Sequence, residues 1–333
     1  MQTIRTFFIT FFLSLIPFSS VFALTLTDSP PITATQNGQV IENVRIRAVN
    51  EPAIKVSNFS NVIIRNVEID HEGGPGIKCS NADGLIIENV SITHIGPGSP
   101  LSSTKENNID CFSSNGVIIK NARLKRGSSG IYMLESPNAH LSFIEGYDFR
   151  GPFPRGQLVQ FNQSPSCILE DFSAIHNPDP AISWPEDNVS VYQSDHCVIQ
   201  RGLLDGNNSV HGVAVMFEQS NNGLLEDVDA IRQANGNFST WPADNVTFRR
   251  SRARENICGD QGRGLPSSNG LVWAGKPGST ALRIEDSHYF DLCNPNNKVW
   301  DKATFDLIEI SSQDFQPRNP IVNKYPFKLS EHL

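Results

Sequence analysis

The residues best suited to acid–base chemistry, Asp110, Tyr132, Asp187 and His211, fall in or beside short segments that can be laid over one another. These are Ala53-Ile-Lys-Val56, Gly76-Ile-Lys-Cys79, Asn108-Ile-Asp-Cys111, Gly130-Ile-Tyr-Met133, Gln157-Leu-Val-Gln160, Asn188-Val-Ser-Val191, Gly212-Val-Ala-Val215 and Gly270-Leu-Val-Trp273. An aliphatic residue fills the second position, so strand alternation turns the third position outward, and Lys55, Lys78, Asp110 and Tyr132 form one ladder. The residue before each segment adds a column holding Asn107, Asp187 and His211. With segments stacked about 5 Å apart, the Asp187 carboxylate can hold the His211 imidazole in one tautomer and raise its basicity. Such a base suits removal of the ring proton beside a uronate carboxylate. Tyr132 or Tyr192 would serve as acid, and Gln160, Asn188 or Arg155 would neutralise the sugar carboxylate. A calcium ion held by Glu186 and Asp187 is an alternative neutraliser, although no dense cluster of metal-ligand spacing accompanies them, and no motif calls for any other cofactor. Asp110 and Asp187 make a poorer pair for an inverting hydrolase, because three coils separate them by about 14 Å against the roughly 6.5–9.5 Å required.

The elements that must position these groups are announced by a repeated phrase. Val62-Ile-Ile-Arg-Asn66, Leu85-Ile-Ile-Glu-Asn89 and Val117-Ile-Ile-Lys-Asn121 are each followed by a second alternating run. Degraded copies follow as Cys167-Ile-Leu-Glu-Asp171, Cys197-Val-Ile-Gln-Arg201 and Gly223-Leu-Leu-Glu-Asp227. One such coil cannot bury its own apolar side, whereas a stack of coils can, which predicts an all-β, single-domain solenoid of three parallel sheets. Asn66, Asn89 and Asn121 fall where a tight turn needs a left-handed residue, and their amides should bond from coil to coil. Irregular spacing between copies means loops of different length, and the longest (residues 96–107, 146–156, 176–186 and 233–244) adjoin the candidate face. They carry Phe149, Arg150, Phe153, Arg155, Trp184 and Trp241, types suited to stacking on sugar rings and pairing with carboxylates. Lys78, Arg150, Arg155, Gln160, Trp184, Tyr192 and Glu218 are therefore expected to bind substrate.

These repeats resemble those of the right-handed parallel β-helix of the pectin-lyase-like superfamily, whose members include polysaccharide lyases, polyuronate epimerases and glycoside hydrolases. The resemblance covers nearly all of the chain after residue 23 and is carried by the fold repeat. The paired-Asp and Gly-His-Gly pattern of polygalacturonases and the Asp-Pro-His pattern of mannuronan epimerases are both missing. The resemblance implies that saccharides bind on the outward face of one parallel sheet, between its long loops.

Arg5, the apolar stretch after it and Val21-Phe-Ala23 read as a secretory signal peptide over residues 1–23. Residues 24–38 would then cap the first coil, residues 39–291 form the β-helix, and residues 292–333 cover the last coil. The expected location is periplasmic or extracellular, with no membrane insertion after cleavage. A formal net charge of −8 argues against a nucleic-acid partner, and a monomer acting on a polysaccharide is expected. Six cysteines fall at equivalent positions of adjacent coils as Cys79 with Cys111, Cys167 with Cys197 and Cys258 with Cys293. Each pair is a disulfide candidate in an oxidising compartment, Cys258 with Cys293 foremost, with stacked reduced cysteines as the alternative.

Two classes of function fit this sequence. The first is an exported polysaccharide-modifying enzyme, a β-eliminating lyase or carbon-5 epimerase of a uronic-acid polymer, with a glycoside hydrolase as the alternative within that class. The second is a non-catalytic saccharide-binding or surface protein on the same scaffold. Long aromatic and Arg-bearing loops over one face favour the enzyme.

Overall fold

The computed structural model describes residues 25–255, 270–275, 278–292, 295–296 and 298–321. It is an all-β parallel solenoid of about 10 turns; the only helical element among the described residues is one 3-10 turn, Lys302–Thr304. Each coil contributes a long strand, such as Ile63–Glu72, and a four-residue strand, such as Ile77–Ser80. The long strands pair coil to coil in one sheet of 13 strands and the short ones in another of 11, all in parallel.

The Asn column creases the long strands. Asn43, Asn66, Asn89 and Asn121 are all left-handed, with φ between 54° and 58°. Each amide donates to the copy in the preceding coil, Asn66 to Asn43 at 3.0 Å, Asn89 to Asn66 at 3.2 Å and Asn121 to Asn89 at 2.7 Å. The same conformation persists at Phe143, Asp171, Arg201 and Asp227, where the Asn is lost. Strand pairing continues through this crease, so two hydrogen-bonded sheets replace the three expected. A second ladder was not legible in the sequence: the hydroxyls of Ser136, Ser164, Ser194 and Ser220 accept from the backbone amides of Ser114, Ser136, Ser164 and Ser194, at 2.8–3.1 Å.

Inside the coils Ile54, Ile77, Ile109, Ile131, Val159, Val189 and Val215 stack in register with no exposed surface. Val213 was expected in this column. It lies two residues upstream, opposite Gly236, because the coil from Val189 to its partner Val215 is two residues longer than the repeat suggests. Residues 233–244, expected as a loop, contain the strand Gly236–Trp241, whose Phe and Thr disguise the aliphatic pattern. Pairing starts at Thr27, inside the segment expected to cap the first coil, and reaches Ser311.

Cys79 and Cys111 form a disulfide across adjacent coils, with Cα atoms 4.6 Å apart. Cys167 and Cys197 do not; both are buried thiols. Each repeats the same contact, Cys167 Sγ lying 3.6 Å from the carbonyl of Ser136 and Cys197 Sγ 3.6 Å from that of Ser164. Cys258 and Cys293 lie outside the described residues, as does the signal-peptide segment. Non-reducing peptide mapping should recover Cys79 linked to Cys111. An alkylating reagent should modify Cys167 and Cys197 only after denaturation; a Cys167–Cys197 peptide would contradict the packing described.

Candidate active site

The strand register fixes the outward column of the short sheet as Lys55, Lys78, Asp110, Tyr132, Gln160, Ser190, Met216, Ser239, Trp273 and Trp300. A cavity of about 390 Å³ opens over the middle of this column. Gln160, Ser190 and Met216 form its floor, as strand alternation requires. Glu186 and Asp187 line it just before the strand Val189–Tyr192, and Asn162, Tyr192 and Glu218 line it at the strand ends. Tyr132 and the loop residues Phe153, Pro154 and Arg155 complete the wall.

Three carboxylates meet here. Burial raises the Asp187 carboxyl well above the ordinary carboxylate range, and the neighbouring Glu186 charge raises it further. The hydrogen bond with Glu186 acts in the same direction, and only the backbone N–H of Val213, which donates to Asp187 Oδ1 at 2.8 Å, opposes it. Glu186 is oriented by Gln157 Nε2 at 3.1 Å and by the Asp187 amide at 2.9 Å. Glu218, half buried, is also raised, by burial first and then by Glu186. Opposite these acids stands one cation: Arg155 stacks its guanidinium 3.8 Å from the centre of the Tyr132 ring and donates to Gln160 Oε1 at 3.1 Å. The Tyr132 hydroxyl accepts from Asn162 Nδ2 at 3.1 Å.

Several expected roles change with this geometry. His211 is exposed and does not line the cavity. In the true register Val213, and not His211, faces Asp187, whose carboxylate bonds the Val213 amide instead of an imidazole. The Asp187 amide donates to Glu186 Oε2, and no group of three His, Cys, Asp or Glu among the described residues is placed to bind a metal. Trp184 is half exposed but lies outside the cavity, its amide bonded to Phe149 at 2.8 Å. Phe149 is fully buried against His176.

Arg150, expected at the substrate, has no exposed surface. Its guanidinium donates to the carbonyls of Gly96, Gly98 and Arg126 at 2.7–2.9 Å and reaches His94 Nδ1. His94 Nε2 in turn meets Glu106 at 2.6 Å, and Glu106 also accepts from the Gly73 amide at 2.8 Å. Arg150 is thus the pin that ties loop 96–107 to loop 146–156, and so carries Arg155 into place. The signal in sequence was the same for both arginines; only burial separates them.

Asp110 lies one coil before the cavity, beside Tyr132 and Lys78 in the ladder. Burial pushes its carboxyl up to about 6, against the opposing effects of the Asn107 amide at 2.5 Å and of the Arg155 and Lys78 charges. A raised folded-state value means the native protein binds a proton that the unfolded chain has released. The stability that Asp110 contributes is therefore complete below about pH 4 and is lost as pH rises through about 6. Asp110→Asn should remove that dependence and raise stability above pH 6 by about 1–3 kcal/mol, read from urea midpoints between pH 4 and 8. Arg150→Ala should cost about 3–5 kcal/mol in the same assay, since it leaves three carbonyls and His94 Nδ1 short of partners. A loss of under 1 kcal/mol would show that the loops do not depend on it.

A family model described as a right-handed beta helix region matches residues 32–148. No curated protein matches the chain in sequence. Among solved structures, DFA-IIIase from Arthrobacter chlorophenolicus A6 in complex with GF2 is similar at 10% identity and TM-score 0.53, over 82% of this chain and 72% of that one. The Dettilon tailspike protein is similar at 10% identity and TM-score 0.57, over 82% of this chain and 56% of its own length. Identities this low speak to the scaffold, which an enzyme and a tailspike share. By its fold the chain is a right-handed parallel β-helix.

Proposed function

We propose that the chain is an exported enzyme that cleaves a glycosidic bond by carboxylate acid–base catalysis. The observation that carries this reading is the convergence of Glu186, Asp187 and Glu218 on one cavity, with the Asp187 carboxyl raised by burial and by the Glu186 charge. Asp187 is the proton donor to the leaving glycosidic oxygen. Glu218, at the other end of the strands, either deprotonates the water that attacks the anomeric carbon or attacks that carbon itself to form a glycosyl ester that water then displaces, and Glu186 keeps the proton on Asp187. Phe153, Tyr192 and the Tyr132–Arg155 stack provide walls for sugar rings. Export agrees with the Cys79–Cys111 disulfide, and no helix among the described residues is long and apolar enough to cross a membrane.

This reading prefers a hydrolase to the uronate lyase or epimerase expected from the sequence. Elimination through His211 loses its orienting carboxylate, and Glu186 and Glu218 beside the cavity disfavour an anionic ring. Arg155 beside the Tyr132 hydroxyl favours elimination as the second reading, with the guanidinium neutralising a uronate carboxylate and the phenol moving the proton.

Asp187→Asn and Glu218→Gln should each lower kcat by about 10²–10⁴-fold on the glycan that is turned over, with native circular dichroism retained. Turnover should fall on the alkaline side as Asp187 loses its proton, and on the acid side as Glu218 gains one. Reducing-end release and the ultraviolet absorbance of unsaturated uronates, followed together over neutral and acidic glycans, separate the two readings. Full activity in Glu218→Gln would refute the carboxylate mechanism.

A further inference from the structure

Three of the four tryptophans lie together on the coils that follow the cavity. Trp241 pairs in register with Glu218, and Trp273 and Trp300 succeed Met216 and Ser239 in the outward column. Trp241 is 37% and Trp300 40% exposed, and Trp273 is half exposed. The Trp241 and Trp273 rings are 5.7 Å apart at 49°. Trp241 lies directly on Gly275, where a Cβ would collide with its indole. Ser239 Oγ, donating to the Trp273 carbonyl at 2.8 Å, fixes the strand beneath. Large indoles turned to the outer face of a rigid sheet gain nothing for the core, whose stack runs through Phe238 and Val272 on the other side.

We infer that this aromatic track is a saccharide-binding strip continuous with the cavity, and that the ligand is an uncharged oligosaccharide lying along the solenoid axis rather than a mono- or disaccharide. The inference rests on the proposed reading only in taking a sugar as ligand. Continuity identifies the occupant: the strip begins at Glu218 and runs across three further coils, about 14 Å, longer than a disaccharide. Indole faces stack on the apolar faces of sugar rings without needing charge, and the acids at the head of the strip disfavour an anionic chain.

The test uses the full chain carrying Glu218→Gln, so that turnover does not consume the probe. Intrinsic fluorescence, to which these three indoles contribute, is followed on titration with inulin-type, cello- and malto-oligosaccharides of two to seven units, with oligogalacturonate as the anionic control. One neutral series should bind, tightening with length beyond two units, and Trp273→Ala or Trp241→Ala should weaken the long members by about tenfold or more. Trp300→Ala should affect only the longest, and Trp273→Phe should restore part of the loss, which a folding defect would not. The inference is overturned if no neutral oligosaccharide perturbs the fluorescence, if the Trp variants bind equally well, if oligogalacturonate binds best, or if the variants alter sedimentation instead, marking a contact between copies of the chain. Length-dependent binding with no turnover by the unmodified chain would keep the strip and refute the proposed function. Turnover insensitive to the Trp variants would do the reverse.

Discussion

In-register parallel pairing of one coil with the next is the constraint from which the remaining features follow. The strands of each coil bond to those of the coils above and below, so a strand side chain's face is set by the pairing and not by its own preference. A slip of one residue exchanges inside for outside. Trp273 shows the consequence: read as the fourth residue of the segment that begins at Gly270 it would point inward with Cys79 and Cys111, but pairing with Ser239 places it outward. His211 shows the consequence of a slip of two, which removes it from the column of Asp187.

Loops are where a solenoid can differ from coil to coil, and here they are held by buried polar groups rather than by an apolar cluster. Arg150, His94 and Glu106 satisfy one another and the carbonyls around them, and burial drives the imidazoles of His71 and His94 toward the neutral form. Breaking such a network leaves unpaired groups in a medium of low dielectric constant, so its rigidity extends to what it supports. The next residues along the same loop, Phe153 to Arg155, become a fixed wall of the cavity.

The same low dielectric acts on the acids of the outward face. Asp110 and Asp187 are pushed up because burial penalises their charged forms more than nearby amides and cations can offset. In a chain of net charge −8, the raised Asp187 and Glu218 carboxyls of the cavity are a local product of geometry. They allow an acid and a carboxylate to coexist at short range, the condition for glycosidic chemistry.

The solenoid was legible in the chain itself, because coils of Ile, Val and Asn announce their stacking through local pattern: alternation sets the core and Asn marks the crease. The outward ladder from Lys55 to Tyr132 and the Cys79–Cys111 neighbourhood followed from that pattern, since the early copies are nearly identical. Past residue 200 the copies decay, and spacing alone could not say whether Gly212 or Ala214 begins a strand, nor find one at Gly236–Trp241. Arg150 and Arg155 stand five residues apart in one loop with the same chemistry, yet one is a buried pin and the other a cavity cation. That division, the proton on Asp187 and the alignment of Trp241, Trp273 and Trp300 depend on which groups the tertiary fold removes from water and which it sets side by side. A sequence pattern encodes the face of a strand but not the depth of a loop or the dielectric around a side chain, so these were decided only when the coils and their loops packed together.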